Sequence, residues 1–126
     1  MLKTTRTTDS FLWPVRIPQA VDGGRVEHSA IQMQFRRFSR EELATLRDDA
    51  TPGPDDAPIS QEEALERDTD YILKIATNWK DVDVDGDTEF TRDNLRAVLN
   101  AYPMATARIV EAFWQAHNGE AARKNS

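Results

Sequence analysis

Two periods of apolar residues divide this chain. Near its start Trp13, Val15 and Ile17 alternate with polar or small positions, which predicts a strand over Phe11 to Ile17 with those three on one face. Asp22-Gly23-Gly24 then reads as a turn, because glycine accepts the positive φ that tight hairpins require. Arg25 to Phe38 reads as the return strand, with Ile31, Met33 and Phe35 on one face. Pro14 and Pro18 have no N–H for a ladder, so the first strand should lie at a sheet edge or stop early. A lone hairpin is marginal in water, and its apolar face calls for helices to cover it.

The helical period follows. Ser39-Arg40-Glu41-Glu42 is a capping box, in which serine and glutamate each satisfy a free backbone amide of the other. It opens a short helix with Leu43 and Leu46 facing inward. Asp48 to Pro58 holds three prolines, a glycine and four aspartates, the composition of an exposed loop. A second capping box, Ser60-Gln61-Glu62-Glu63, starts a helix expected to run as far as Trp79 or Lys80. Its stripe is Leu65, Ile72, Ile75, Ala76 and Trp79. Thr91 caps a helix carrying Leu95, Val98, Leu99 and Tyr102, and Pro103 ends it and can open the next. In the last helix Ala105, Ile109, Ala112, Phe113 and Ala116 form one face, Val110 and Trp114 widen it, and Asn118-Gly119 is a stop signal. The fold class is α+β: an N-terminal β-hairpin followed by a small bundle of three to four helices. It is expected as a single domain over residues 11–119, between a flexible lead-in (1–10) and a flexible tail (120–126).

Composition narrows the function classes. A chain of 126 residues fits one domain with a modest core. A net charge of −6 argues against free nucleic acid as a partner, since phosphate binding needs a basic surface. The chain has no cysteine, which removes disulfide and thiol chemistry. No apolar run is long enough for a membrane span, and the first ten residues lack a signal-peptide core. The expectation is a small, acidic, soluble, intracellular domain.

The acidic turn after Trp79 carries the most specific candidate chemistry. Asp81, Asp83, Asp85 and Gly86 fall at positions 1, 3, 5 and 6 of an EF-hand calcium loop. Calcium takes about six to eight oxygens, and the loop's last position normally supplies two of them. That position is Arg92, a cation, so a calcium-binding regulatory protein using the acidic loop 81–89 remains an alternative with an incomplete motif. The competing reading is a solvated turn between helices. His28 and His117 lie in different elements without a ligand pattern around them, and the adjacent carboxylate pairs Glu62/Glu63 and Asp48/Asp49 lie in solvated stretches. There is no glycine-rich phosphate loop and no nucleophile elbow. Nothing in the pattern points to an enzyme, a cofactor or a resident metal. Trp79 reads as core, whereas Trp114 lies off the main stripe, as aromatic residues at protein contacts often do.

Several pieces taken together carry a resemblance. They are the strand pair ending in Phe35-Arg36-Arg37-Phe38-Ser39, a helix ending in Asn78-Trp79, the acidic turn with Asp85-Gly86, and Phe90-Thr91-Arg92-Asp93-Asn94-Leu95. Leu99 and a last helix with Ile109, Phe113 and Trp114 complete the set. Over roughly residues 11 to 118 the chain resembles the tail assembly chaperones of long-tailed bacteriophages and prophages. The resemblance implies a non-enzymatic protein of the host cytoplasm, absent from the finished virion. Its partner would be the tape measure protein, kept soluble until tail tube subunits polymerise, with the tube protein and self-association as further contacts. Val110, Phe113 and Trp114 are then the partner-binding candidates. A small structural tail or connector subunit is the other reading. Arg123-Lys124-Asn125 is also compatible with codons on which a ribosome slips to make a longer product, as many such genes do.

Overall fold

The computed structural model describes residues 1–5, 8–50 and 59–119. The two expected strands are longer than their apolar alternation: β1 spans Ser10–Val21 and β2 Arg25–Arg36. They pair antiparallel in one unbroken register from Ser10 opposite Arg36 to Val21 opposite Arg25, with Asp22, Gly23 and Gly24 as the connecting loop. Both glycines take positive φ, 85° and 74°, which is why two of them are needed here.

The prolines of β1 have a definite place in this ladder. The Arg37 N–H donates to the Asp9 carbonyl at 2.9 Å, so odd-numbered β1 residues turn their hydrogen-bonding groups toward β2. Pro14 and Pro18 fall in the other phase, where their missing donors would have pointed off the sheet. The sheet order β1-β2-β3 leaves β1 at an edge, as the prolines require. The strand does not stop early, because prolines in that phase break no bond to β2.

The helical stretch expected through Trp79 or Lys80 is corrected. Helix α2 covers Gln61–Ile75 and the chain then switches to a third strand, β3, at Ala76–Lys80. β3 pairs antiparallel with β2, placing Trp79 opposite Met33, Asn78 opposite Gln34, and Ala76 opposite Phe35. Thr77 is the extra residue of a bulge in this pairing. The bulge sets the two buried residues of β3, Ala76 and Trp79, three positions apart rather than two. Three is also a helical step, so the strand continues the apolar period of α2 and looks like helix in one dimension.

The remaining helices are α1 (Arg40–Ala50), α3 (Arg92–Ala101) and α4 (Ala105–His117). The first capping box forms in full: the Ser39 N–H donates to Glu42 Oε1 at 2.9 Å and the Glu42 N–H to Ser39 Oγ at 3.2 Å. Ser60 and Thr91 cap α2 and α3 by accepting from the Glu63 and Asn94 N–H groups, each at 3.1 Å. α1 extends through Asp48 and Asp49 into the stretch expected as loop, while residues 51–58 of that stretch lie outside the described residues. α4 begins at Ala105 with Met104 as its cap, so Pro103 sits in the turn before it rather than in its first turn. Gly119 closes α4 at φ 76°, the left-handed stop expected of Asn118-Gly119. Residues 120–126, including the Arg123-Lys124-Asn125 candidate, lie outside the described residues.

One sheet face carries the core. Val15, Ile17, Ile31, Met33, Phe35, Ala76 and Trp79 meet Ile72 and Ile75 of α2, Leu95 and Leu99 of α3, and Ala105, Ile109, Ala112 and Phe113 of α4. α4 packs along β1, and α3 against α2. Thr69 fills the gap in the α2 stripe between Leu65 and Ile72, and its buried hydroxyl donates to the Leu65 carbonyl at 2.7 Å. On the opposite face Leu12, Pro14 and Ala30 are exposed. Beyond Ile17 and before Ile31 no hairpin residue is buried, so the hairpin tip reaches past the helices. Among the described residues no helix is long and apolar enough to cross a membrane.

Candidate functional site

The C-terminal half of α4 is the most aromatic region of the molecule. Phe113, one helical turn past Ile109, is fully enclosed at 0% exposure. Its ring lies edge-on to Phe35 and Phe38, both at 5.5 Å, and to Trp114 at 5.3 Å. His117, one turn further, packs against it at 4.4 Å and stacks on Phe38 at 6.0 Å. Phe11 extends this cluster to β1, where the Arg37 guanidinium lies 4.9 Å from its ring centre. Of the three partner-binding candidates, Phe113 is thus the inner support, while Val110 and Trp114 are half-buried and reach the surface.

Trp114 joins three elements. The Arg47 guanidinium of α1 lies 4.8 Å over its ring. Tyr71 of α2 is a further neighbour. Burial pushes the Tyr71 hydroxyl above its ordinary pKa, while the nearby Trp114 indole and the charge of Arg47 act in the opposite direction. Along the same helix, Gln115 donates to Glu111 at 3.1 Å and Arg108 lies 3.6 Å from Glu111, giving the aromatic surface a polar border. This arrangement, aromatic rings with one edge in water and a charged border, suits protein contact. It offers no nucleophile–base pair.

The acidic turn is a different kind of structure. Val84 and Asp87 exchange backbone hydrogen bonds of 2.8 and 3.0 Å around Asp85-Gly86, whose φ values are 52° and 91°. Two positive φ angles in a two-residue loop define a type I′ turn, for which Asp-Gly is a preferred pair. The Asp83 carboxylate accepts from the Gly86 N–H at 2.6 Å and Asp87 from the Glu89 N–H at 3.0 Å. That backbone bond, with Asn94 second, holds the Asp87 carboxyl below its ordinary range. Asp81 takes φ 67° and Asp85 projects from the turn itself. Arg92, at the twelfth position of the calcium-loop alignment, donates to Asp70 and Glu66, both at 2.6 Å, and ties α3 to α2. Among the described residues no three His, Cys, Asp or Glu groups converge to hold a metal ion. The loop's far side is anchored instead by Trp79, whose indole N–H donates to the Thr88 carbonyl at 2.9 Å while Phe90 packs edge-on at 5.0 Å.

Tyr71, Arg47, Phe38 and His117 belong to the aromatic site, yet the linear pattern does not single them out for it. Arg47 follows Leu43 by one helical turn and His117 follows Phe113 by one turn, so each shares a face with an apolar anchor. That spacing is the only signal in the sequence, and many solvated residues share it.

The sequence model of a family described as phage tail assembly chaperone matches residues 2–125, nearly the whole chain. No curated protein and no solved structure matches it.

Proposed function

Since the chain belongs to the phage tail assembly chaperone family, we propose that it binds the tape measure protein and holds it soluble in the host cytoplasm until the tail tube polymerises around it. The chaperone then leaves and is absent from the finished virion. The family match over residues 2–125 carries the reading, and the aromatic surface at Val110 and Trp114 supports it. A tape measure protein is long and helical, with apolar stripes that self-associate when unprotected. A helix-in-groove contact covers such a stripe, and rings anchored from behind by Phe113 supply a rigid docking surface. The net charge of −6 keeps chaperone copies apart and the complex in solution. No observation specifically favours calcium regulation or a structural tail subunit.

Co-expression with the tape measure protein of the same phage tests this. The expected result is a rise in that protein's soluble fraction and its co-purification with the chaperone. Persistent insolubility with nothing co-purifying overturns the reading, and recovery of this chain from purified particles would favour a structural subunit.

A further inference from the structure

Helix α1 is seated unlike the other three. Among its described side chains only Leu46 is buried, at 8% exposure, and only Leu43 is half-buried. By contrast α2, α3 and α4 each bury at least two residues at 5% exposure or less. The reciprocal bonds between Ser39 and Glu42 close the start of α1 within its own first turn, so its cap does not depend on docking. Where it docks, Leu43 and Leu46 pack on the core and Arg47 covers the Trp114 ring of α4 while its charge reaches Tyr71 of α2. The weakest-held helix therefore lies over the aromatic surface best suited to a partner.

We propose that α1 is a resident stand-in for a partner helix. The seam of α2 and α4 at Tyr71 and Trp114 takes an amphipathic helix with leucines at positions i and i+3 and a cation at i+4, and α1 is released when such a helix arrives. The chemistry is read from the present occupant, in which Leu43, Leu46 and Arg47 have that spacing. The two leucines fill apolar space, and the cation must lie over the indole face. An intramolecular helix holds an advantage in effective concentration. A longer incoming helix overcomes it by burying more apolar surface than the two leucines of α1, with the half-buried Val110, one turn before Trp114, within the same face of α4. The proposal deepens the tape measure reading by naming the surface and the side chains that this partner must present.

The test is hydrogen exchange on the full chain, alone and with a synthetic helical peptide of about twenty residues, long enough to hold helix. The peptide repeats Leu-x-x-Leu-Arg along one face, and a scrambled peptide is the control. We expect amides of α1 to lose at least tenfold in protection when the peptide binds, while those around Val110 to Trp114 gain. Arg47→Ala, which loosens the occupant and leaves the seam intact, should bind the peptide several-fold more tightly than the native chain. Trp114→Ala should bind it several-fold more weakly. Unchanged or increased α1 protection on binding, failure of the peptide to bind, or dimers that exchange α1 between copies would overturn the proposal. Co-purification of the tape measure protein is scored separately. If it fails while the peptide still displaces α1, the tape measure reading falls and the seam stands. If it succeeds while the peptide leaves α1 undisturbed, the reverse holds.

Discussion

The ring of His117 accepts a hydrogen bond from the backbone N–H of Phe38, 3.2 Å away and 79 positions earlier in the chain. An amide N–H can only donate, so Nε2 must carry a lone pair, and the other ring nitrogen donates to the Phe113 carbonyl at 3.0 Å. One imidazole thereby clips the segment just after β2 to the last turn of α4, between Phe11, Phe38 and Phe113.

Removing that clip should loosen the junction. His117→Phe keeps an aromatic ring in place and deletes the acceptor, leaving the Phe38 amide without its partner. A loss of about 1–3 kcal/mol is expected from urea unfolding. His117→Ala should lose more, because the ring contacts go too. If His117→Phe is as stable as the native chain, the hydrogen bond contributes nothing.

Phe113 and Trp114 are adjacent and should separate stability from binding. Phe113→Ala empties a fully enclosed site and is expected to cost about 3–5 kcal/mol. Trp114→Ala removes a half-buried ring and its contact with Arg47, at roughly 1–2 kcal/mol. Pull-down of the tape measure protein should nevertheless suffer more from Trp114→Ala, at a temperature where both variants are folded. Equal binding by Trp114→Ala and the native chain would exclude this surface.

Gly86 tests the acidic turn. A Cβ at Gly86 would meet no atom within 4 Å, so any cost of replacement is conformational. With φ at 91°, Gly86→Val should lose about 1–2 kcal/mol, and Gly86→Asn, which tolerates the left-handed region, clearly less. Thermal unfolding of the pair checks this. Equal losses would mean that the turn, rather than the residue's φ, governs the cost.

Glu66 gives a pH signature. The Arg92 guanidinium first, and that of Arg96 second, donate to its carboxylate and hold its pKa below the ordinary glutamate range. A carboxyl depressed on folding contributes stability above its unfolded pKa and loses it as pH falls through the folded one. Glu66→Gln should therefore lower the urea midpoint slightly at pH 7, and the gap to the native chain should close in acid. The effect is small and fades with added salt, because all four side chains of the Glu66, Asp70, Arg92 and Arg96 network are more than a third exposed to solvent. A gap that persists in acid would point to packing instead.

Local chemistry made much of this fold readable in one dimension. Ser39, Ser60 and Thr91 mark helix starts because a side-chain oxygen caps amides within its own turn, whatever lies around it. Gly23-Gly24 and Asp85-Gly86 mark turns because few other residues accept positive φ. The alternation of Trp13, Val15 and Ile17 and the helical spacing of Leu95, Val98 and Leu99 follow the faces they bury. The resemblance to tail assembly chaperones also rests on such local pieces, and the match over residues 2–125 bears it out.

Tertiary structure decided what local chemistry left degenerate. Ala76 to Lys80 became a strand because β2 offered an open edge, and a bulge at Thr77 let Ala76 and Trp79 both face the core. Their three-residue spacing fits helix and bulged strand alike, so only the neighbour could choose between them. The aromatic site is likewise a product of folding. Arg47, Tyr71 and Trp114 come from three helices, and Phe38 and His117 stand 79 positions apart in the chain. No periodicity along a chain records which distant faces will meet, since that depends on the packing of whole elements.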